Sequence, residues 1–190
     1  MQQDQKTEEQ EKRAENAIDR FSSARDRHGR WHSLWQDCYR YALPQRDGFS
    51  MTSIGSSRGM EQIYDATALD AVDQLAASLV AQLTPPWSEW FGFRPGPDME
   101  ADKADVLSKK LEVTARIMQS HFDQSNFAVE MHQCFLDLVT GGTATLQFTE
   151  NAPGEASAFR FAAIPLSQTV LDESNSAGKL DRLYREYRIN

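Results

Sequence analysis

The spacing of apolar residues changes once along this chain of 190 residues, at Gly141-Gly142. Before the two glycines, apolar residues recur every three or four positions, which is the period of amphipathic helices. After them, Ala144, Leu146 and Phe148 alternate with polar residues, as in a strand with two different faces. This order predicts an α+β fold, with N-terminal helices followed by a small antiparallel β region.

The helical segments begin or end at residues that favour helix boundaries. Pro44 ends the first helix because proline cannot continue the backbone hydrogen bonding, and an alternative has this helix broken at Gly29. Asp65 and Asn126 are expected to cap later helices. The predicted helices are a long N-terminal helix, a helix over 65–83 and a helical pair over 98–140.

The helix over 65–83 has two unlike faces. One face is apolar and suits packing against the core. The other carries small and polar residues, which would let another helix or subunit approach closely. The residues of this second face are Asp70, Asp73, Gln74, Ala77, Ser78, Ala81 and Gln82.

A segment rich in aromatic residues and proline follows this helix. Trp87, Trp90, Phe91 and Phe93 fall within seven positions between prolines. Such a stretch cannot be helical throughout and is very apolar, so we expect an extended segment held against the core.

Three more strands are predicted after the first, around Phe159 and Phe161, over 169–171 and over 180–189. Since the sequence stops in or just after a strand, we expect it to be the N-terminal part of a longer protein. The expected domain organisation is a flexible extension over 1–20, a helical part over 21–142 and a β-rich part over 143–190 that continues past the chain end.

Charge is unevenly distributed along the chain. Overall, 20 Lys and Arg stand against 28 Asp and Glu, a net charge of −8, which argues against a simple cationic DNA-binding module. Residues 21–60 hold six basic and three acidic residues, whereas 61–100 hold one and seven. These segments are either two solvated faces or two surfaces that meet different partners.

No constellation of catalytic or metal-binding residues is evident. His28 and His32 have helical i, i+4 spacing but lack further ligands nearby, and the acid pair Asp70 and Asp73 is typical of a solvated helix face. Cys134 lies on an apolar stripe and is interpreted as a core residue. We therefore expect no enzyme activity, no cofactor and no metal.

The N-terminus has no apolar signal region, and no apolar stretch is long enough to cross a bilayer. Two cysteines far apart in sequence provide neither a disulfide framework nor a CxxC pair. The chain is therefore expected to work without a membrane and in a reducing compartment.

Arginines in the first helix are interleaved with Trp31 and Trp35. Such a pattern suits contact with nucleic acid or with an acidic partner. Cation–π packing of Arg25 on the tryptophans within one subunit is an equal explanation.

Several local patterns, taken in order over about residues 25–190, resemble the portal proteins of short-tailed bacteriophages, the head-to-tail connecting family. The matching patterns are WHSLW (31–35), YALP (41–44), YDATALDAVDQLAASL (64–79), LTPPW (83–87), WF (90–91), FLDLVTGGTA (135–144), IPL (164–166) and GKLDRLYRE (178–186).

The resemblance implies a non-enzymatic structural subunit of a homo-oligomeric ring, usually dodecameric, at the portal vertex of the virion. Double-stranded DNA would pass through its channel during packaging and ejection, and capsid, scaffold, tail adaptor and terminase proteins would be its partners. It also implies synthesis in the host cytoplasm. Family members are several-fold longer than this chain, which leaves direct DNA and motor contacts by these residues open.

A ring of identical subunits requires a heterologous interface, in which one surface of each subunit meets a different surface of the next. We expect Asp70, Asp73 and Gln74 to face a neighbour's arginines in the first helix, namely Arg25, Arg27 and Arg30. The alternatives are another capsid or tail adaptor protein, or a DNA-binding module.

Overall fold

The computed structural model describes residues 2–46, 48–49, 63–97, 101–172 and 182–187, with the side chains of 2–11, 30 and 101–103 left aside. The helices in this part of the chain are α1 (Gln2–Ala42), α2 (Thr67–Leu83), α3 (Ala101–Gln124) and α4 (Phe127–Gly141). The strands are β1 (Thr145–Glu150), β2 (Phe159–Ile164), β3 (Thr169–Asp172) and β4 (Arg182–Arg185). Helices thus precede strands, and the predicted α+β fold is confirmed.

The chain forms two compact units. The terminal unit combines Met1–Tyr64 with Pro165–Asn190, and the central unit is Asp65–Ile164. Each unit therefore contains helical residues and one antiparallel hairpin, β3–β4 in the terminal unit and β1–β2 in the central unit.

Helix α1 is continuous through Gly29, so the alternative of a break there is wrong. It ends as predicted next to Pro44, where the Leu43 N–H donates the last helical hydrogen bond to the Tyr39 carbonyl (2.9 Å). A short 3-10 turn, Pro44–Arg46, follows. The helix includes residues 2–20, and the described side chains over 12–20 are exposed.

The core of the terminal unit lies along one face of α1. Ala24, His28, Trp35 and Tyr39 are buried at helical spacings of four, seven and four residues. Trp35 and Tyr39 pack with Phe49 and Leu166 in one apolar cluster. Two residues predicted on the same stripe lie outside this core, since Ile18 is 63% and Trp31 is 42% exposed.

The hairpin β3–β4 packs on α1 through β3. Its register pairs Thr169 with Arg185 and Asp172 with Arg182. Phe21 of α1 meets Tyr184 edge to face, with ring centroids 5.6 Å apart. The ring of Tyr184 thus holds β4, the described part of the predicted fourth strand, against α1.

In the central unit, α2 packs on α4. Ala76 of α2 is fully buried, because its small side chain allows the helices to approach closely. Leu75 and Leu83 were predicted on the core-facing side, yet they are 50% and 55% exposed. The buried stripe of α2 is therefore narrower than its apolar face.

An aromatic cluster joins the segment after α2 to α3, α4 and the hairpin. Trp90 stacks on Phe127 with centroids 5.7 Å apart, and Phe122 contacts both rings. The members of the cluster are Trp90, Phe91, Phe122, Phe127, Phe148, Phe159 and Phe161.

The prediction that the aromatic segment lies against the core holds for its middle only. Trp90 and Phe91 are half-buried in the cluster. Trp87 is 74% and Phe93 is 42% exposed.

Helix α4 ends at the predicted glycines. Gly142 adopts a left-handed conformation with φ 75°, and its N–H donates to the Leu138 carbonyl. A residue without a side chain adopts this conformation at no steric cost, which explains the turn from α4 into β1.

Candidate interaction surfaces

An ion pair between residues far apart in sequence joins α1 to the end of β3. Nη2 of Arg27 donates to Oδ1 of Asp172 at 2.8 Å, and the Asp172 side chain is only 3% exposed. Burying a carboxylate is costly unless a cation or hydrogen bonds compensate it. Arg27, predicted to face a neighbouring subunit, therefore also compensates a buried acid of its own chain.

Of the two other predicted arginines of α1, Arg25 pairs with a residue of its own chain. Nη1 of Arg25 lies 3.5 Å from Oε1 of Glu186, and both side chains are about half exposed. A pair this exposed contributes little to stability. The side chain of Arg30 lies outside the described residues.

A groove of about 400 Å³ opens beside the Arg27–Asp172 pair, within the terminal unit. Its walls come from α1, the end of β3 and the start of β4, and all of its lining side chains are polar. They are Asn16, Asp19, Arg20, Ser23, Arg27, Asp172 and Arg182.

The outer face of α2 is exposed as predicted, including Asp70, Asp73 and Gln74. The Asp73 side chain is 74% exposed, and its Oδ1 lies 3.8 Å from Nε2 of His132 on α4. The small residues Ala77 and Ala81 share this exposure. The α2 face, defined by Asp70, Asp73, Gln74, Ala77 and Ala81, is accessible to a partner.

Asp65, predicted to cap α2, lies one residue before the N-cap position, which Ala66 occupies, and bonds the first helical residue, Thr67. Its Oδ1 accepts hydrogen bonds from the hydroxyl (2.6 Å) and the backbone N–H (2.9 Å) of Thr67. These bonds, the hydroxyl first, hold the pKa of the Asp65 carboxyl below its ordinary value because they favour the charged form.

The α4 helix under the α2 face is fixed to the hairpin by two polar side chains. Asn126 accepts from the Phe161 N–H (2.9 Å) and donates to the Phe161 carbonyl (2.7 Å). Glu130 accepts from the Ala163 N–H (2.7 Å). These side chains bond the outer edge of β2 as a neighbouring strand would.

Sequence reasoning missed this arrangement. Asn126 stands at the N-terminus of α4, but its side chain makes no capping hydrogen bond and bonds β2 instead. Glu130 and Asp137 were predicted on the polar face of α4, yet Asp137 is fully buried. The strand residues that Asn126 and Glu130 bond lie more than 30 positions away in sequence, so no local pattern signals these bonds.

The two histidines of α1 pack against aromatic rings. His28 lies 4.9 Å from the Trp35 ring and His32 lies 5.0 Å from the Phe49 ring. Cys134 is buried, as its core interpretation predicted. Within the described ranges, no group of three or more His, Cys, Asp or Glu residues is arranged to hold a metal ion.

The sequence also predicts a Gly- and Ser-rich loop over 45–60 and a turn over 172–178. Residues 50–60 of the loop and 173–178 of the turn lie outside the described residues. Among the helices in the described part of the chain, none has the length and apolar character needed to cross a membrane.

Comparison with known proteins identifies the family. The chain matches the family described as bacteriophage head to tail connecting protein over residues 14–190. It is also 25% identical over 175 residues to a "Probable portal protein" of Bordetella phage BPP-1, covering 90% of this chain. The chain spans about 30% of the length of that relative. Because the family match includes nearly all of both compact units, the chain belongs to the bacteriophage head to tail connecting protein family.

Proposed function

We propose that this chain is a structural, non-enzymatic subunit of a phage portal, the ring that connects head and tail. The observation that carries the proposal is the family match over residues 14–190, which includes most of α1, the α2 face and both hairpins. The similarity to a portal protein of another phage supports the same role.

Exposed apolar side chains support assembly with other subunits. Large apolar residues are exposed in both units, including Ile18 and Trp31 on α1 and Leu75, Leu83 and Trp87 in and after α2. Where such side chains adjoin one another in a larger exposed patch, they mark contact surfaces between proteins.

The acidic composition suits a conduit for DNA. A channel through which DNA slides should not hold phosphates tightly, and a net charge of −8 disfavours tight phosphate binding. We therefore propose that double-stranded DNA passes through the ring during packaging and ejection.

The proposed location is the portal vertex of the virion, after synthesis in the host cytoplasm. The proposed partners are further copies of this chain in a dodecameric ring, together with capsid, scaffold, tail adaptor and terminase proteins.

The proposed subunit contact uses the exposed acids of the α2 face. Asp70, Asp73 and Gln74 would meet arginines of α1 in the next subunit, such as Arg25, Arg27 or Arg30. Reversing two charges, as in D70K/D73K, should weaken assembly most at low salt, where exposed charges are least screened. Unchanged assembly would remove this contact from the proposal.

Electron microscopy of the purified protein tests the proposed function. A portal subunit is expected to form closed rings with a central hole, visible in class averages of negatively stained particles. Light scattering on the same sample gives the mass of the assembly and hence its number of subunits.

Two other outcomes would replace the proposal. A stable monomer that unfolds cooperatively and binds only to preassembled rings or capsids would favour a tail adaptor. A monomer that binds short DNA duplexes with steep salt dependence would favour a DNA-binding module.

A further inference from the structure

We infer that the groove of the terminal unit receives the α2 face of a second copy of this chain, with Arg20 and Arg182 as its main anchors. This inference rests on the proposed assembly of identical subunits. It assigns the basic side of the contact mainly to Arg20 and Arg182 of the groove, in place of Arg25 and Arg30.

The groove is built to bind a charged group. Asn16, Asp19, Arg20, Ser23 and Arg27 lie at spacings of three, one, three and four residues, so they share one face of α1. Asp172 and Arg182 close the other side, and they face each other across the end of the hairpin. Since all of these side chains are polar, an apolar occupant would gain little here.

The groove has an excess of positive charge. Its three arginines stand against two aspartates, a net charge of +1. One arginine and one acid are already matched, because Arg27 bonds the buried Asp172. Within the described part of the chain, Arg20 and Arg182 form no ion pair, and both are exposed. The two free guanidinium groups favour carboxylates, which they can bind with two hydrogen bonds each.

The chain itself carries a matching acidic surface. Residues 59–93 contain five acidic residues and no Lys or Arg. Asp70 and Asp73 lie one turn apart on the exposed side of α2, and Ala77 on the next turn is small enough for close approach. Because this face is exposed in the single chain, a second copy can present it to the groove.

Nucleic acid fits the groove less well than this face does. The two anchoring arginines of the groove match the two carboxylates of Asp70 and Asp73 in number. A duplex instead presents a continuous row of phosphates, which would extend past these arginines and meet Asp19. DNA binding by the groove is therefore an outcome that the test must detect.

Cross-linking between copies tests the inference directly. One preparation carries Ser23→Cys in the groove and a second carries Ala77→Cys on the α2 face; oxidation of their mixture should give a disulfide-linked dimer. Each single variant oxidised alone is the control for products made by the native Cys38 or Cys134. Absence of a dimer specific to the mixture would overturn the inference.

Charge reversal then tests which groups hold the contact. Combining R20E/R182E with the groove cysteine, or D70R/D73R with the α2 cysteine, should lower the dimer yield by about fivefold or more, since like charges then face each other. The two reversals together should restore most of the yield. The matched control K12E/K109E changes the charge equally at exposed positions outside both surfaces and should leave the yield unchanged.

Other results would contradict the inference. The pairing would be excluded if neither charge reversal lowered the dimer yield. It would also be excluded if combining the two reversals did not restore the yield. If R20E/R182E abolished binding to a fluorescent DNA duplex while D70R/D73R left the cross-linking yield unchanged, the groove would be assigned to nucleic acid.

The inference and the proposed function can fail separately. Rings formed by R20E/R182E as readily as by the unmodified chain would leave the portal role standing and remove this interface. A charge-dependent dimer from a protein that never forms rings would keep the interface and remove the portal role.

Discussion

The two compact units hold their hairpins in different ways. In the terminal unit, β3 rests on α1 through a small apolar cluster and ends at the Arg27–Asp172 pair. In the central unit, β2 is held by the aromatic cluster on one side and by Asn126 and Glu130 along its outer edge. The arrangement in the terminal unit places a charged pair next to an open groove.

Because of this difference, we expect the central unit to be the more rigid of the two and the terminal hairpin to be more sensitive to nearby charges. Close-packed rings and bonded strand edges resist small displacements, so the central unit can hold the α2 face in a fixed position. A hairpin anchored by a partly exposed ion pair responds to nearby charges and salt. We therefore expect the groove to be the side of the subunit contact that is sensitive to its surroundings.

The largest expected effect is loss of the aromatic cluster. Phe161 is 6% exposed and contacts Phe122, Phe127 and Phe148. Phe161→Ala should destabilise the central unit by about 3 kcal/mol, because it leaves a cavity among close-packed rings. Hydrogen exchange followed by mass spectrometry should show faster exchange across the central unit and little change in the terminal unit.

Phe148 provides the control for this substitution, since it is 55% exposed in the same cluster. Phe148→Ala should cost about 1 kcal/mol. If Phe161→Ala accelerated exchange equally in both units, their separate stabilisation would be wrong.

A smaller effect is expected from the side chain that bonds the edge of β2. Asn126→Ala removes two hydrogen bonds to the Phe161 backbone and should cost about 2 kcal/mol. Urea denaturation measures the loss. Gln124→Ala removes an exposed amide that bonds the nearby Ser120 side chain and should cost less than about 0.5 kcal/mol. Equal costs would mean that the edge contact does not stabilise the hairpin.

In the terminal unit, Arg27→Met should cost about 1 to 2 kcal/mol, less than a fully buried pair would, because Arg27 is partly exposed. Adding Asp172→Asn should recover part of the loss, since the buried carboxylate is then neutral. A double-mutant cycle measures the coupling. Arg25→Met, which breaks an exposed pair, is the control and should change stability by less than about 0.5 kcal/mol. Identical losses for the two arginines would contradict the role assigned to burial.

The smallest effect concerns Asp65 at the start of α2. Because hydrogen bonds from Thr67 lower its pKa in the folded protein, its stabilising contribution is present above the unfolded pKa. That contribution is lost as the pH falls through the lowered folded value. Asp65→Asn should remove this acid dependence from amide exchange in the first turn of α2. A wild-type profile that matches the variant between pH 2 and 5 would contradict the assignment.

Local signals in the sequence were sufficient for the order of elements and for their boundaries. The change of period at Gly141-Gly142 and the stop at Pro44 depend on neighbouring residues, and the structure has both. The start predicted at Asp65 lies two residues before the first helical residue, Thr67. Which helical stripe is buried was predicted less well, because that depends on what packs against it. Ile18 and Leu75 fit apolar stripes, yet nothing in their own unit covers most of either side chain.

Of the two candidate surfaces, the α2 face was predicted from the sequence and the groove was not, because the groove depends on contacts between distant residues. Exposure of Asp70, Asp73 and Gln74 follows from helical periodicity and was foreseen. The groove was not, because it brings Arg20 of α1 next to Asp172 and Arg182, which are more than 150 residues away in sequence. Only the pairing of β3 with β4 places those two residues opposite each other.

The central claim, that this chain is a portal subunit, is tested most directly by counting its copies in purified virions. Quantitative mass spectrometry against the major capsid protein, with gold labelling of the chain on intact particles, gives both number and position. A portal subunit should be present in about a dozen copies per particle at one vertex, as one closed ring requires. Hundreds of copies spread over the capsid, or none in DNA-filled particles, would contradict it.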